Sequence, residues 1–514
     1  MSATGSPVSA RASGVEARPA RRWLVLGVIG IAQLMVVLDL TIMNIALPSA
    51  QRALGFSTVD RQWVVTAYSL AFGSLLLLGG RLADLLGRKR TFLIGLVGFA
   101  GVSAIGGAST SFTMLVAARA CQGAFAALLV PSALSLLTTT FTDPKDRGRA
   151  FGIYGAIAIA GGAVGLLLGG VLTEYLSWRW CLYVNLLFAG VAFIGGALLL
   201  QAQPSPAKQK LDIPGVLLVS VGVFCVVYGC SNAATHSWHT PSTYGFLAAG
   251  GVLLVSFVLW QLRSTHPLLP LRVVLDRNRG GAYLSMFFAG AGLFGTFLFL
   301  TYYMQLTLGY SPLLTGVAFL PISIGSAVFS NLSTIVLMPR FGPKPLVATG
   351  MLLASGGMLW LTHLGAHTGY VEGLLGPLVL IAIGMGLVIA PSFNTGTYGV
   401  APQDAGIASA TVTVSQQLGA SVGTALLNTI YASAVASYLA ANLAPSGAHR
   451  GTVVGLALAH GYDTTFRWTA GLFAAGAVIG GLVLRRGPLA PATPHAASSD
   501  LAPTVAPRLD PAAH

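Results

Sequence analysis

The sequence predicts an all-α polytopic membrane protein of fourteen spans. Three observations carry this reading. Hydrophobic residues make up 54% of the chain and charged residues only 8%. Apolar runs of about twenty residues, the length that crosses roughly 30 Å of hydrocarbon, recur from Trp23 to Leu484. The basic residues gather in alternate short connections between these runs, as they do on the cytoplasmic side of membrane proteins. The fourteen runs lie near 24–47, 61–79, 92–110, 114–138, 149–173, 181–201, 212–231, 243–262, 280–304, 313–337, 346–365, 373–394, 406–432 and 464–484.

The tail at 1–22 is rich in Ala, Pro and Ser and reads as disordered and cytoplasmic, like the tail at 487–514. The run from Trp23 is longer than a signal-peptide core and lacks a convincing cleavage site, so it reads as an uncleaved first span. With the N-terminus inside, inner segments hold twenty-two Lys and Arg, while outer segments hold five, Arg52, Arg61, Arg179, Arg450 and Arg467. Both termini are then cytoplasmic. In a soluble chain a net charge of +14 would suggest nucleic acid, but here topology accounts for it and no such partner is expected. Cys121, Cys181, Cys225 and Cys230 lie in or beside apolar runs, which predicts neither a disulfide framework nor a metal site.

The first span contains Asp39, alone among fourteen acidic residues in lying well inside an apolar run. Burial disfavours a charged carboxylate, so an acid there can hold a proton and release it when water arrives. A structural acid held by neighbouring helix groups is the other reading. Met35 and Met43, at i−4 and i+4, share its face and could line an adaptable apolar cavity or simply pack.

Between spans 2 and 3 the stretch "GGRLADLLGRKR" sets Asp84 among Arg81, Arg88, Lys89 and Arg90. An acid that meets a cation or helix N-terminus in one conformation and loses it in another can bias a gate. Span 4 carries Arg119, the one basic residue inside a span, with Gln122, Gly123 and Ala126 on the same face. Spans 1 and 4 run in opposite directions and place Asp39 and Arg119 in the same outer half, where they could pair; otherwise the arginine snorkels outward. In span 5, "GGAVGLLLGGVL" spaces Gly161, Gly165 and Gly169 by four, a smooth stripe for close helix contact.

The connector "QAQPSPAKQKLDIPG" leads to spans 7 and 8. Beyond them the chain repeats itself. "DRGRA" at Asp146 returns as "DAGIA" at Asp404, Gly161 and Gly165 return as Gly419 and Gly423, and "GRKR" at Gly87 is echoed by "GPKP" at Gly342. This offset aligns span 5 with span 13 and span 2 with span 10. The organisation read from it is a six-helix bundle at 23–201, a linker with two inserted helices at 202–279, and a second six-helix bundle at 280–486. The repeated glycines are then expected at the interface between bundles. Tyr68, Tyr302, Tyr303, Gln305, Asn394 and Gln416 are candidate polar residues of a cavity, with Gln122 beside Arg119.

Together these stretches resemble the major facilitator superfamily, in its fourteen-span drug:proton antiporter branch. "LDLTIMNIALP" resembles the first-span motif, "GRLADLLGRKR" the inner-loop motif, "RACQGAFAA" the span-4 motif and "GGAVGLLLGGVL" the span-5 motif. "SWRWCLYVN" and "LGYSPLLTGVAFLP" are also characteristic. The chain departs from the pattern at Leu166, where a proline is usual, and near Leu187. The resemblance implies a monomeric exporter of small amphipathic compounds such as antibiotics, in a bacterial cytoplasmic membrane. It further implies proton coupling at Asp39 and Arg119, gating at Asp84 and Arg88, and bundle movement on Gly161, Gly165, Gly169, Gly419 and Gly423.

A proton-coupled nutrient importer would be expected to carry more polar groups in its central spans, and a receptor or scaffold would need no buried acid. No "GxxxxGK[ST]" loop occurs, so no ATP motor is expected within the chain. Catalytic triads and metal clusters are absent from the sequence pattern, so neither enzyme activity nor a cofactor is expected.

Overall fold

In the computed structural model, which describes residues 19–57, 60–141, 143–201, 212–235, 238–264, 267–269, 271–364, 369–400, 405–442 and 450–487, the apolar runs are helices. The tails 1–18 and 488–514 and the connector at 202–211 lie outside the described residues, as does Asp404. No strand occurs among the described residues. The first six helices are α1 (Pro19–Leu54), α2 (Gln62–Leu86), α3 (Arg88–Gly107), α4 (Phe112–Thr140), α5 (Pro144–Tyr175) and α6 (Trp180–Leu199). Then come α7 (Ile213–Thr235), α8 (Pro241–Arg263) and the single turn α9 (Leu271–Val274). The rest comprises α10 (Arg277–Tyr302), α11 (Pro312–Ala318), α12 (Leu320–Leu332), α13 (Met338–Phe341), α14 (Pro343–Leu361), α15 (Gly376–Thr397), α16 (Ala405–Asn442) and α17 (Arg450–Val483).

Of three π-helical turns, Tyr303–Thr307 extends α10, Ser333–Leu337 joins α12 to α13, and Tyr370–Leu375 leads into α15. By length and apolar composition, twelve helices among the described residues can cross a membrane. The expected count is fourteen. The two positions not among the twelve are helical all the same, as α2 and α14.

Local chemistry explains the ends of these helices. Ser111 accepts from the Met114 amide at the head of α4, and Asp276 from the Asn278 and Arg279 amides at the head of α10, satisfying donors that have no intrahelical partner. The turns after α2 and α13 each pass through a glycine at positive φ, Gly87 at 92° and Gly342 at 74°. A side chain is strained in that region, so the weak "GRKR"/"GPKP" echo reflects one backbone turn used twice.

Several basic residues cap helix C-termini on the side of the molecule where α1 begins and α17 ends. Lys89 donates to the Ala197 and Leu200 carbonyls at 2.8 and 2.6 Å, and Arg277 donates to those of Val483 and Leu482 at 2.7 and 2.8 Å. Each such contact neutralises a partial negative charge, worth about 0.3–1 kcal/mol.

Packing follows the internal repeat. In the first six helices α5 lies on α1 and α4 on α2, and from α10 onward α16 lies on α10 and α15 on α12. The glycine stripes correct an expectation here. Side chains added at Gly161, Gly165 and Gly169 would meet Leu34, Val37, Leu38, Thr41 and Ile42 of α1, and those at Gly419 and Gly423 would meet Phe287 and Ala291 of α10. The stripes therefore join helices within each group of six. Spacing by four defines a helix face, and these faces turn toward α1 and α10.

Contact between the groups runs through two other seams, α2 against α16 and α5 against α11 and α12. Gly73 meets Gln417 and Leu418 in the first, while Gly170 meets Leu313 and Gly316 meets Leu166 in the second. Since span 2 aligns with span 10 and span 5 with span 13, the seams are counterparts under the repeat. Helix α7 covers the α2–α16 seam through Val223, Val227 and Cys230, and α8 packs on α7. Just before α7, Asp212 accepts from Trp260 Nε1 at 2.7 Å, Gln261 Nε2 at 2.8 Å and the Gly215 amide at 3.0 Å. Burial pushes this carboxyl up, but the donated hydrogen bonds outweigh it and hold the group below its ordinary value.

Two predictions follow from the packing. Gly165→Leu is expected to destabilise the folded protein by about 1–3 kcal/mol through overpacking against α1. Gly162→Leu is the matched control, because an added Cβ there meets nothing within 4 Å; thermal unfolding in detergent compares the two. Asp212, with its folded pKa depressed, contributes stability that is complete above the ordinary carboxylate value of 3.8 and is lost as pH falls through the lower folded value. Hydrogen exchange at the head of α7 and tail of α8 should accelerate only below that point, and Asp212→Asn should remove the pH dependence.

Candidate functional site

Five helices converge on Asp39. Its Oδ2 accepts from Arg119 Nη1 at 2.5 Å, and its Oδ1 accepts from Asn185 Nδ2 at 2.8 Å and Gln122 Nε2 at 3.1 Å. Gln122 is itself held twice more: Nε2 donates to Ser103 Oγ at 2.7 Å, and Oε1 accepts from Arg119 Nη1 at 3.0 Å. Arg119 Nε donates to the Val64 carbonyl at 3.1 Å, and the guanidinium lies 4.5 Å from the centroid of the Tyr68 ring. The side chains thus come from α1, α2, α3, α4 and α6. Asp39, Ser103, Gln122 and Asn185 are fully buried, and Arg119 is 1% exposed.

Local packing makes the geometry possible. Gly123, one residue from Gln122, lets α4 approach the Tyr68 carbonyl of α2 at a distance that an added Cβ would obstruct. The pair carries no net charge, and neighbouring donors share its desolvation. A buried ion pair tolerates loss of solvent only when its remaining valences are met in this way. Chemically, the cluster holds an acid and a base in direct contact, with both carboxylate oxygens of Asp39 accepting hydrogen bonds.

The pairing of Asp39 with Arg119 and the place of Gln122 beside them match the sequence expectation. Asn185 and Ser103 were not singled out, although an asparagine inside the apolar run of span 6 is the type of signal that would have marked Asn185. Met35 and Met43 are fully buried in packed apolar clusters. The side chain of Asp84 lies outside the described residues, and Arg88 stands half-buried at the start of α3. Asn394 on α15 and Gln416 on α16 are half-buried.

Tyr302 is at the opposite end of the molecule from the start of α1 and the end of α17, and we call that end distal. There its hydroxyl donates to Gln51 Oε1 at 2.9 Å, Gln305 Nε2 donates to the Ile45 carbonyl at 3.1 Å, and the Leu313 amide donates to Glu174 at 3.0 Å. Each bond joins the first six helices to the segment after α9 at the distal end. The seam between α2 and α16 is buried but polar. Gln62, Thr66 and Ser69 share the face on which Gly73 meets Gln417, and Ser421 and Thr424 continue that face on α16. All are buried, and the hydroxyls of Thr66, Ser69, Ser421 and Thr424 have no hydrogen-bond partner.

Comparison with known proteins gives a consistent picture. The Major Facilitator Superfamily profile matches residues 29–424. The puromycin resistance protein pur8 of Streptomyces alboniger is 47% identical, over 92% of this chain and 93% of its own length. The cephamycin export protein CmcT of Amycolatopsis lactamdurans is 41% identical over 78% and 83%. The tetracenomycin C resistance and export protein of Streptomyces glaucescens is 34% identical over 82% and 78%. Among solved structures, an autoinhibited peptide transporter of the POT family aligns with a TM-score of 0.64 at 15% identity, covering 90% of this chain and 96% of its own. A bacterial homologue of the lysosomal transporter Spinster aligns with a TM-score of 0.62 at 16% identity, covering 91% and 98%.

The site predicts an asymmetric cost of breaking it. Arg119→Met leaves a buried carboxylate without its cation and is expected to destabilise by about 3–5 kcal/mol. Adding Asp39→Asn to that variant should recover part of the loss, because the orphaned charge is gone. Thermal unfolding of both single variants and the double variant measures the coupling.

Proposed function

The chain belongs to the major facilitator superfamily, a family of membrane transporters, and from that premise we propose that it is a proton-coupled exporter of small amphipathic compounds, including antibiotics. The observation that carries the reading is the buried Asp39–Arg119 cluster. An ionisable pair inside hydrocarbon is expensive, and a membrane protein that retains one usually uses it to bind protons or substrate. Proton uptake on Asp39 neutralises the acid and frees Arg119; proton loss restores the pair. The relatives named for antibiotic resistance and export support an outward direction and an antibiotic-like cargo.

The mechanism we propose is alternating access by a single chain driven by the proton gradient rather than ATP. Residues 23–201 and 280–486 would act as two rocking bundles, with 202–279 supplying the inserted pair α7 and α8. Unpartnered hydroxyls along the α2–α16 seam support this, since a static helix interface pairs its buried polar groups. A seam that parts during transport hydrates them in the other state. The basic residues on the terminal side support a cytoplasmic location for both termini, so the distal end would face outward. Asp84 and Arg88 are assigned to a gate on the cytoplasmic side, and Gln122, Asn394 and Gln416 to the substrate path.

Everted vesicles energised by a proton gradient test this reading, with puromycin as the first probe because of the 47% identity to a puromycin resistance protein. Wild type is expected to accumulate the compound and to release protons when it is added. Asp39→Asn should fall to the level of vesicles lacking the protein while still binding the probe. Undiminished gradient-driven uptake by Asp39→Asn would remove the acid from proton coupling.

A further inference from the structure

Arg61, which the sequence places in an outer segment at the start of span 2, is 1% exposed at the head of α2. Its guanidinium carbon lies 3.8 Å from the ring centroid of Tyr302, 5.1 Å from that of Tyr431 and 5.5 Å from that of Phe299. Tyr462 extends the cage, with its ring 5.1 Å from Tyr431. The arginine comes from the first six helices and the rings from α10, α16 and α17, so the cage straddles the junction bridged by Tyr302 and Gln51.

The aromatic rings occupy faces of the guanidinium and the Tyr302 and Tyr431 hydroxyls also lie within its reach, but the edge formed by Nε and Nη2 is not engaged. Nε and Nη2 are both closed to solvent and have no acceptor. These two N–H groups lie parallel on one side of the planar fork, spaced to receive the two oxygens of a carboxylate. The other interior arginine, Arg119, has its Nε and Nη1 engaged. Nor do Asp60, next in the chain, or Asp463, next to Tyr462 in the chain, accept from the edge of Arg61: Asp60 accepts from Ser57 Oγ at 2.6 Å, and Asp463 pairs through Oδ2 with Arg467 at 2.9 Å while its buried Oδ1 meets no donor. Leaving charged donors buried and unpaired is costly. A site whose occupant comes and goes accounts for it.

We propose that the Arg61 edge is a docking point for a carboxylate on an aromatic or apolar compound, with the tyrosine and phenylalanine rings receiving the body of the molecule. This rests on the export reading and narrows it to acidic amphipaths. The junction must part for release at the distal end, and when it does the edge becomes accessible.

The test uses the purified full chain in lipid nanodiscs, with 1-pyrenebutyrate and its methyl ester as probes. The two share an apolar body and differ in the carboxylate. Pyrene fluorescence, with empty nanodiscs subtracted, reads binding. Wild type is expected to prefer the acid by on the order of tenfold, the effect of losing a charge-assisted bidentate contact. Arg61→Gln should bring the ratio near unity, and Arg61→Lys should fall between because a point charge lacks the fork. Thermal unfolding confirms that each variant is folded. An acid-to-ester ratio that is the same in wild type and both variants overturns the proposal. So does displacement of the acid by inorganic phosphate as effective as that by ring-bearing carboxylates, which would assign the edge to a simple anion. Gradient-driven flux of the same probes is measured separately: acid-selective binding without flux would leave the Arg61 site standing and count against export.

Discussion

A single constraint organises this molecule: a carboxylate placed in hydrocarbon must be surrounded by donors. Asp39 meets it with Arg119, Gln122 and Asn185. Because no one helix can supply that set, α1, α2, α3, α4 and α6 have to converge. Convergence in turn demands small residues at the crossings, and Gly123 against Tyr68 is one such place. The polar cluster and the glycine contacts are two aspects of the same packing problem. A charge can be retained inside a membrane only if the backbone can come close enough to bring its partners.

The internal repeat explains how the remainder is arranged. Contacts of α5 on α1 return as α16 on α10, and the two seams between the groups are likewise counterparts. The site itself is not repeated. Among the described residues only the first group has an acid and a base fully buried together, while the second contributes the aromatic rings around Arg61. The buried ion pair and the aromatic cage thus draw on opposite sides of the junction, the arrangement that the proposed proton-coupled export would use.

Much of this was legible in the sequence, for identifiable reasons. Asp39 and Arg119 are the acid and the base set well inside apolar runs, so their meeting could be inferred from cost alone. The glycine stripes were readable as close-packing faces, but spacing does not say which neighbour a face meets, and they pack within each group. Asn185 went unassigned because an uncharged amide stands out less than a charge does. The burial of Arg61 was not readable for a related reason: a cation at the edge of an apolar run looks exposed, and only the fold shows that rings from a distant part of the chain enclose it. The unpaired polar groups of the α2–α16 seam belong to the same class, since pairing is a property of neighbours and not of composition.

Helix α7 lies over one seam and not the other. It shields the junction of α2 with α16, and Thr429 of α16 donates to the Cys230 carbonyl of α7 at 2.9 Å. At the α5–α11 junction the side chains of Val164, Val171, Leu314 and Val317 are exposed on the protein surface, where acyl chains lie. A surrounding bilayer therefore meets one seam directly and the other only through a protein buffer. Changes in lipid packing or membrane thickness act on the two sides unequally, and the molecule is mechanically lopsided despite its repeated architecture.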